Sequence, residues 1–193
     1  MDRRVRRTRA MLGQALKELL LEKDYDAITV QDITDRADLN RATFYLHYGR
    51  KEVLLTETLE TQFDELIARI EAETAGQYIW ENPLSAQIVY EHIAEHAALY
   101  KVLFGERGQG FVINRLLKYM ARYDENQLRQ VISEEGVPVA LVAYHFAGAL
   151  FATAVWWLEN DMPYSPEYMA DNLQRLCASG VVSLAGVDVM RDA

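Results

Sequence analysis

With 193 residues, half of them apolar, the chain is long enough to bury a core without staples, and a single cysteine, Cys177, excludes an intrachain disulfide and suits a reducing cytoplasm. No uninterrupted apolar run of about 18 residues occurs, which argues against a membrane span. The net charge of −9 argues at first against nucleic acid, but it is unevenly spread: residues 1–51 carry 11 Lys and Arg against 8 Asp and Glu, and the remainder 9 against 21.

The predicted elements are all helical, because Gly and Pro are sparse and apolar residues recur at three- and four-residue spacing. Residues 2–22 form the first, with Leu12, Ala15, Leu16, Leu19 and Leu20 as one stripe. Lys17, Glu18, Glu22 and Lys23 interrupt its apolar character and no small-residue cleavage site follows, so it reads as an amphipathic helix rather than a secretion signal. Arg3, Arg4, Arg6, Arg7 and Arg9 make its start strongly basic. A basic head on an acidic body fits contact with phosphate at one end, and the cluster equally suits a solvated, disordered tail.

Thr29-Val30-Gln31-Asp32 has the form of a capping box and predicts a short helix from Val30 to about Ala37. Asp38 and Leu39 make a tight turn, and Asn40 is a good N-cap for a second short helix, which Gly49 is placed to end in a left-handed conformation. A long amphipathic helix then runs from Lys51 and fades near Gly76. Further helices are expected at 83–96, 98–105, 110–123, 125–134, 139–160 and 166–184, with Pro138 at the first position of the apolar one. The boundary between two modules is placed at residue 50, giving 1–50 and 51–193.

Two short helices joined by a tight turn, behind a longer one, give the geometry that sets a recognition helix in the major groove. Ile28, Val30, Ile33, Ala37, Leu39, Phe44, Tyr48 and Leu54 can pack a small core. The residues left to face DNA are Thr29, Asn40, Arg41, Ala42, Thr43, Tyr45, His47 and Lys51. Arg41 can form two hydrogen bonds to guanine, and Ala42 or Thr43 can touch a thymine methyl. Tyr45, His47 and Lys51 can reach phosphates.

The strings Thr29-Val30-Gln31-Asp32-Ile33, Arg41-Ala42-Thr43-Phe44-Tyr45-Leu46-His47-Tyr48 and Lys51-Glu52-Val53-Leu54 closely resemble the N-terminal signature of TetR-family transcriptional regulators, over roughly residues 8–57. The resemblance implies an all-α protein with an N-terminal three-helix DNA-binding domain and a C-terminal helical domain for ligand binding and dimerisation. It implies a recognition helix with Phe44 in the core, and a homodimer on a palindromic double-stranded DNA operator. Asp38 departs from it, standing where glycine is usual in the turn. Arg50 also departs, at a position more often small and polar. Glu91–His96, Tyr100–Gly105, Tyr144–Phe151, Trp156–Glu159 and Met162–Pro166 resemble the later helices of one subgroup more loosely.

In that layout the last two helices meet their symmetry mates, with Val139, Ala143, Ala147, Ala154, Leu173, Leu176 and Val181 as interface positions and Trp157 at the surface or the dimer seam. A small-molecule pocket is expected from His92, His96, Tyr100, Phe104, Tyr144, His145, Phe151 and Trp156, with Tyr90, Phe111 and Tyr119 as further aromatics, although a single aromatic in such a pattern is more often ordinary core. The i, i+4 spacing of His92 and His96 can chelate a metal, but polar recognition of an organic ligand is the preferred reading, with no metal and no cofactor assigned. No catalytic triad context, phosphate loop, HExxH or CxxC pair is present, so no enzyme is expected. The leading expectation is a cytoplasmic, ligand-released repressor; the alternative is a coactivator whose regulatory half binds a protein partner.

Overall fold

The computed structural model describes residues 2–74, 83–104, 110–130 and 137–185. These form nine helices and no strand: α1 (Arg3–Glu22), α2 (Val30–Arg36), α3 (Arg41–His47), α4 (Lys51–Thr74), α5 (Leu84–Glu95), α6 (Ala97–Phe104), α7 (Gly110–Leu128), α8 (Val139–Glu159) and α9 (Pro166–Ala185), with a single 3-10 turn at Tyr25–Ala27 after α1. One helix, α7, occupies much of the ground on which two were expected. The side chains of Phe111 and Val181, the second half of the expected 125–134 helix and the tail from Gly186 lie outside the described residues.

The basic cluster is not a tail: Asp2 caps α1 by accepting from the Arg4 amide at 3.0 Å, and Arg3, Arg4, Arg6 and Arg7 lie exposed in its first turns. The inner stripe of α1, including Leu12, Leu16 and Leu19, is buried. At Gly13 α1 crosses α4 so closely that a Cβ would sit 2.8 Å from Thr58 Oγ1. Arg36 of α2 grips Glu22 at the end of α1 through two bonds of 2.8 and 2.7 Å.

The turn between α2 and α3 closes as a Schellman motif. Asp38 takes the left-handed conformation, φ 53°, its amide donates to Asp35 O at 3.2 Å, and the Leu39 amide donates to Thr34 O at 2.9 Å. The carboxylate residue thus does what glycine ordinarily does there. Gly49 does not: α3 stops at His47, Tyr48 is extended with φ −137°, and no left-handed glycine is involved.

From Lys51, α4 leaves the head with Leu54 and Leu55 buried and enters the body with Phe63, Leu66 and Ile70 buried. There α7 packs along α8 and α5 along α9, while α6 also touches α1, so the buried side chains from Leu12 to Cys177 form one continuous cluster. Among the described residues α8 alone is long and apolar enough to cross a membrane. Its inner side is spent on this core, through Val139, Ala143, Phe146, Leu150, Ala154 and Trp157. A second Schellman closure, Met162 N to Trp157 O at 2.8 Å, turns the chain from α8 toward α9.

Candidate functional site

The head presents α3 as its exposed short helix. At the entry to α2, Thr29 Oγ1 accepts from the Asp32 amide at 3.1 Å, and Asp32 Oδ2 accepts from both the Thr29 amide and its hydroxyl at 2.7 Å, completing the capping box. Lys23 Nζ lies 2.9 Å from the same carboxylate, and its bond, with those from Thr29, holds that carboxyl well below the usual carboxylate range. Asn40 caps α3 by accepting from the Ala42 amide at 2.8 Å.

Phe44 and Tyr48 bury the inner side of α3. Arg41, Ala42 and Tyr45 are exposed, while Thr43 and His47 are half-buried beside them. The Arg41 guanidinium lies over the Tyr45 ring at 5.7 Å, and Nη2 reaches the Tyr45 hydroxyl at 3.4 Å. Leu46 is 80 % exposed on the same face and was assigned no role from sequence. The signal was present: Leu46 lies four residues after Ala42, on the side of the helix turned away from Phe44.

Lys51 requires a correction. Its ammonium sits 2.7 Å from Tyr25 O, 2.7 Å from Ile28 O and 3.4 Å from Asp26 O, and 4.3 Å from the Tyr25 ring centroid. Three acceptors match its three protons, so Lys51 ties α4 to the 3-10 turn instead of reaching phosphate. A parallel tie joins α1, α3 and α4: Arg9 Nη1 and the Tyr48 hydroxyl both donate to Glu57 Oε1, at 3.2 and 2.8 Å.

The body contains a cavity of about 130 Å³ between α4, α5, α7, α8 and α9. Apolar Phe63, Leu66, Ile70, Val89, Phe146 and Leu150 make most of its wall, and Tyr119, which donates to Asp64, is the one aromatic of the expected set that reaches it. None of the eight principal pocket residues read from sequence lines it. His92, Tyr100, Phe104 and Phe151 instead line an adjoining void of about 20 Å³, which shares Phe63, Leu66, Val89, Met120 and Leu150 with the cavity, and His96, Tyr144, His145 and Trp156 are exposed. The reason is helical phase: the cavity takes the faces of α5 and α8 that carry Ser85, Val89, Phe146 and Leu150.

Burial, with His96 and Arg69 nearby, pushes the His92 imidazole down to about 4, and its Nε2 lies 3.0 Å from the Tyr100 hydroxyl. His92, Glu95 and His96 bring one donor atom each within 4.8 Å of one another; the i, i+4 spacing pointed to the two histidines but not to Glu95. Tyr90 is core, its hydroxyl 2.7 Å from Thr153 Oγ1 and its ring edge-on to Trp157.

Residues 14–58 match the model of the bacterial regulatory proteins of the tetR family, and residues 84–179 match that of a transcriptional regulator C-terminal region. The chain belongs to the TetR family. An HTH-type transcriptional regulator of Bacillus subtilis (strain 168), YxbF, is 28% identical over 171 residues, 88% of this chain and 44% of its own. The dhaKLM operon transcriptional activator DhaS of Lactococcus lactis is 30% identical over 97 residues, 50% of this chain and 49% of its own. The chain thus spans less than half the length of either of these curated relatives. A TetR regulator from Streptococcus agalactiae superposes with a TM-score of 0.69 at 24% identity, covering 91% of this chain and 96% of its own. FadR from Bacillus subtilis in complex with stearoyl-CoA gives 0.68 at 20%, covering 89% and 98%. The family and its relatives are DNA-binding transcriptional regulators, not enzymes.

In this TetR-family chain the last two helices are phased differently from the sequence expectation. Val139, Ala143, Ala147, Ala154 and Leu173 are buried within the single chain, so they are core and not partner-facing. Trp157 is also buried, its Nε1 donating to Tyr164 O at 3.0 Å. The outer face instead carries Leu141, Tyr144, Trp156, Tyr164, Tyr168 and Leu176, the last 75 % exposed. Tyr164 stacks between Trp156 and Tyr168, making a continuous aromatic patch.

Proposed function

We propose that this protein is a homodimeric, cytoplasmic repressor that binds a palindromic operator and is released by a small-molecule ligand. The observation that carries the reading is the exposed α3, with Phe44 anchored in the core and Arg41, Ala42, Tyr45 and Leu46 turned outward behind two complete N-caps. Residues 1–50 act as the DNA-binding unit and 51–193 as the regulatory and dimerisation unit. Thr29 and Asn40 border the phosphate-facing amides, Arg41 reads a guanine, Thr43 and Ala42 contact thymine methyls with Leu46, and Tyr45 and His47 reach phosphates.

The aromatic outer face of α8 and α9 supports the dimer, because an apolar patch of this kind on a soluble regulator calls for a partner, and an isologous pairing gives two α3 helices about one DNA turn apart. Ligand bound in the cavity among α4, α5, α7, α8 and α9 shifts the population toward a spacing that no longer fits both half-sites, to the extent that it binds that state more tightly. Selection of operator DNA from a random pool by the purified dimer tests the reading: an enriched inverted repeat supports it and failure to enrich any sequence refutes it. With that operator in hand, Arg41→Ala relaxes specificity at one base step at a cost of about 1–3 kcal/mol. Equal loss on all sequences would make Arg41 a phosphate contact.

A further inference from the structure

The cavity is apolar on nearly all sides, yet Asp124 of α7 points a carboxyl into it. The residue is only 6 % exposed, and its charge acts on the neighbouring Tyr123 phenol of the same wall. Ser85 Oγ, from α5 on the same wall, is buried without a partner among the described residues. A buried carboxyl and, among the described residues, an unpaired hydroxyl inside a largely apolar chamber are costly unless something that enters it pairs with them. Such groups mark a place where a ligand completes the hydrogen bonding.

The charge of the lining selects the ligand. Among the described residues, two carboxylates, Glu71 and Asp124, line the cavity and no Lys, Arg or His does. A carboxylate or phosphate head would be placed against like charge, with no cation among the described lining residues to receive it. A protonated amine meets an opposite charge, and Phe63, Tyr119, Tyr123 and Phe146 supply ring faces and edges around it. The volume of about 130 Å³ is close to that of a cavity that holds a single aromatic ring.

We infer that the cavity is a binding site for a small organic cation, a protonated amine on an apolar frame, whose ammonium pairs with Asp124 and hydrogen-bonds to Ser85. This deepens the regulatory reading and rests on it for its biological meaning, though the binding itself does not require DNA. The Asp124 carboxyl is pushed up to about 7 by burial. Amine binding therefore draws a proton from it around neutrality. The other titratable groups facing the cavity are Glu71 from α4, Tyr119 and Tyr123 from α7 and Cys177 from α9, while α5 and α8 contribute none. The phenols and the thiol are shifted upward by burial, away from neutrality.

The test is calorimetry on the full chain without DNA, using 2-phenylethylamine, 2-phenylethanol and phenylacetate, which share one frame and differ in head charge. The amine is expected to bind at least about tenfold more tightly than phenylacetate, with affinity rising over about pH 6 to 8 and a proton released to buffer. Asp124→Asn is expected to remove about tenfold of amine affinity while the alcohol changes little, with circular dichroism confirming the fold. Ser85→Ala, which keeps the carboxyl, should weaken amine and alcohol alike. Phenylacetate binding as tightly as the amine, amine affinity surviving Asp124→Asn, or none of the three binding at millimolar concentration would each overturn the inference. Operator selection is read separately, so a failure here leaves the DNA reading standing, and the reverse holds.

Discussion

Lys51 and Asp124 show how far a residue's chemistry depends on what surrounds it. Lys51 stands at the start of α4, where a basic residue beside DNA suggests a phosphate contact, but its three protons are consumed by carbonyls of residues 25, 26 and 28. Replacement by Met leaves those acceptors short of donors and should lower stability by about 1–3 kcal/mol in urea unfolding, with the salt dependence of operator binding unchanged. A drop of about one in the salt slope with no loss of stability would restore the phosphate role. Asp124 gives the pH prediction. Its carboxyl titrates near 7 in the folded chain against 3.8 ordinarily, so between these values the unfolded chain has lost a proton that the folded chain keeps. Unfolding is then favoured as pH rises: stability from this group is full below about 4, falls by at most about 1.4 kcal/mol per unit on the way to 7, and levels off above. Thermal melts of the wild type and Asp124→Asn should converge at low pH and separate at pH 8, with the variant the more stable; parallel curves would refute it.

At the scale of elements, the helices were legible where capping and apolar spacing agree. The Thr29–Asp32 box and the Asn40 cap form as their side-chain chemistry dictates, because these bonds are local and need no distant partner. Asp38 was legible too, as a non-glycine residue in the left-handed region, φ 53°. Asp38→Gly should therefore stabilise the head by about 1 kcal/mol, read as a raised urea midpoint with unchanged slope. A destabilised variant would mean that the carboxylate itself holds the turn. Gly49 was misread because a glycine near a helix end is an ordinary stop signal, and here Tyr48 leaves the helix in an extended conformation with its ring buried instead. Residues 110–128 were divided in two because apolar spacing weakens around Tyr123 and Asp124, although a buried Asp124 keeps that face inside.

For the whole molecule, the decisive quantity is the phase of α8 and α9 against the rest. Both sides of α8 are apolar, so composition does not say which side meets the core and which meets a partner. The structure puts Trp157 inside and Trp156 outside, one residue apart and about 100° around the helix axis. Trp156→Glu and Leu176→Glu should each shift the sedimenting species from dimer to monomer and weaken operator binding without loss of helical content. A dimer that persists in both would rule out this seam. Trp157→Ala, by contrast, should cost about 3–5 kcal/mol in stability, since it empties a buried site against Tyr90.

The sequence by itself determined the all-helical architecture, the helix-turn-helix with its caps and left-handed turn, the family, and the placing of the basic charge at one end. All of these rest on local bonds and on short-range spacing, which act within a few residues of one another. Only the tertiary structure decided that Lys51 is a tie, that Leu46 is exposed, and that the large cavity is lined by Ser85, Tyr119 and Asp124 instead of His92, His96 and Tyr144. Those outcomes depend on which face of each helix its neighbours cover, and for helices apolar on more than one side that choice is made by packing among five helices at once.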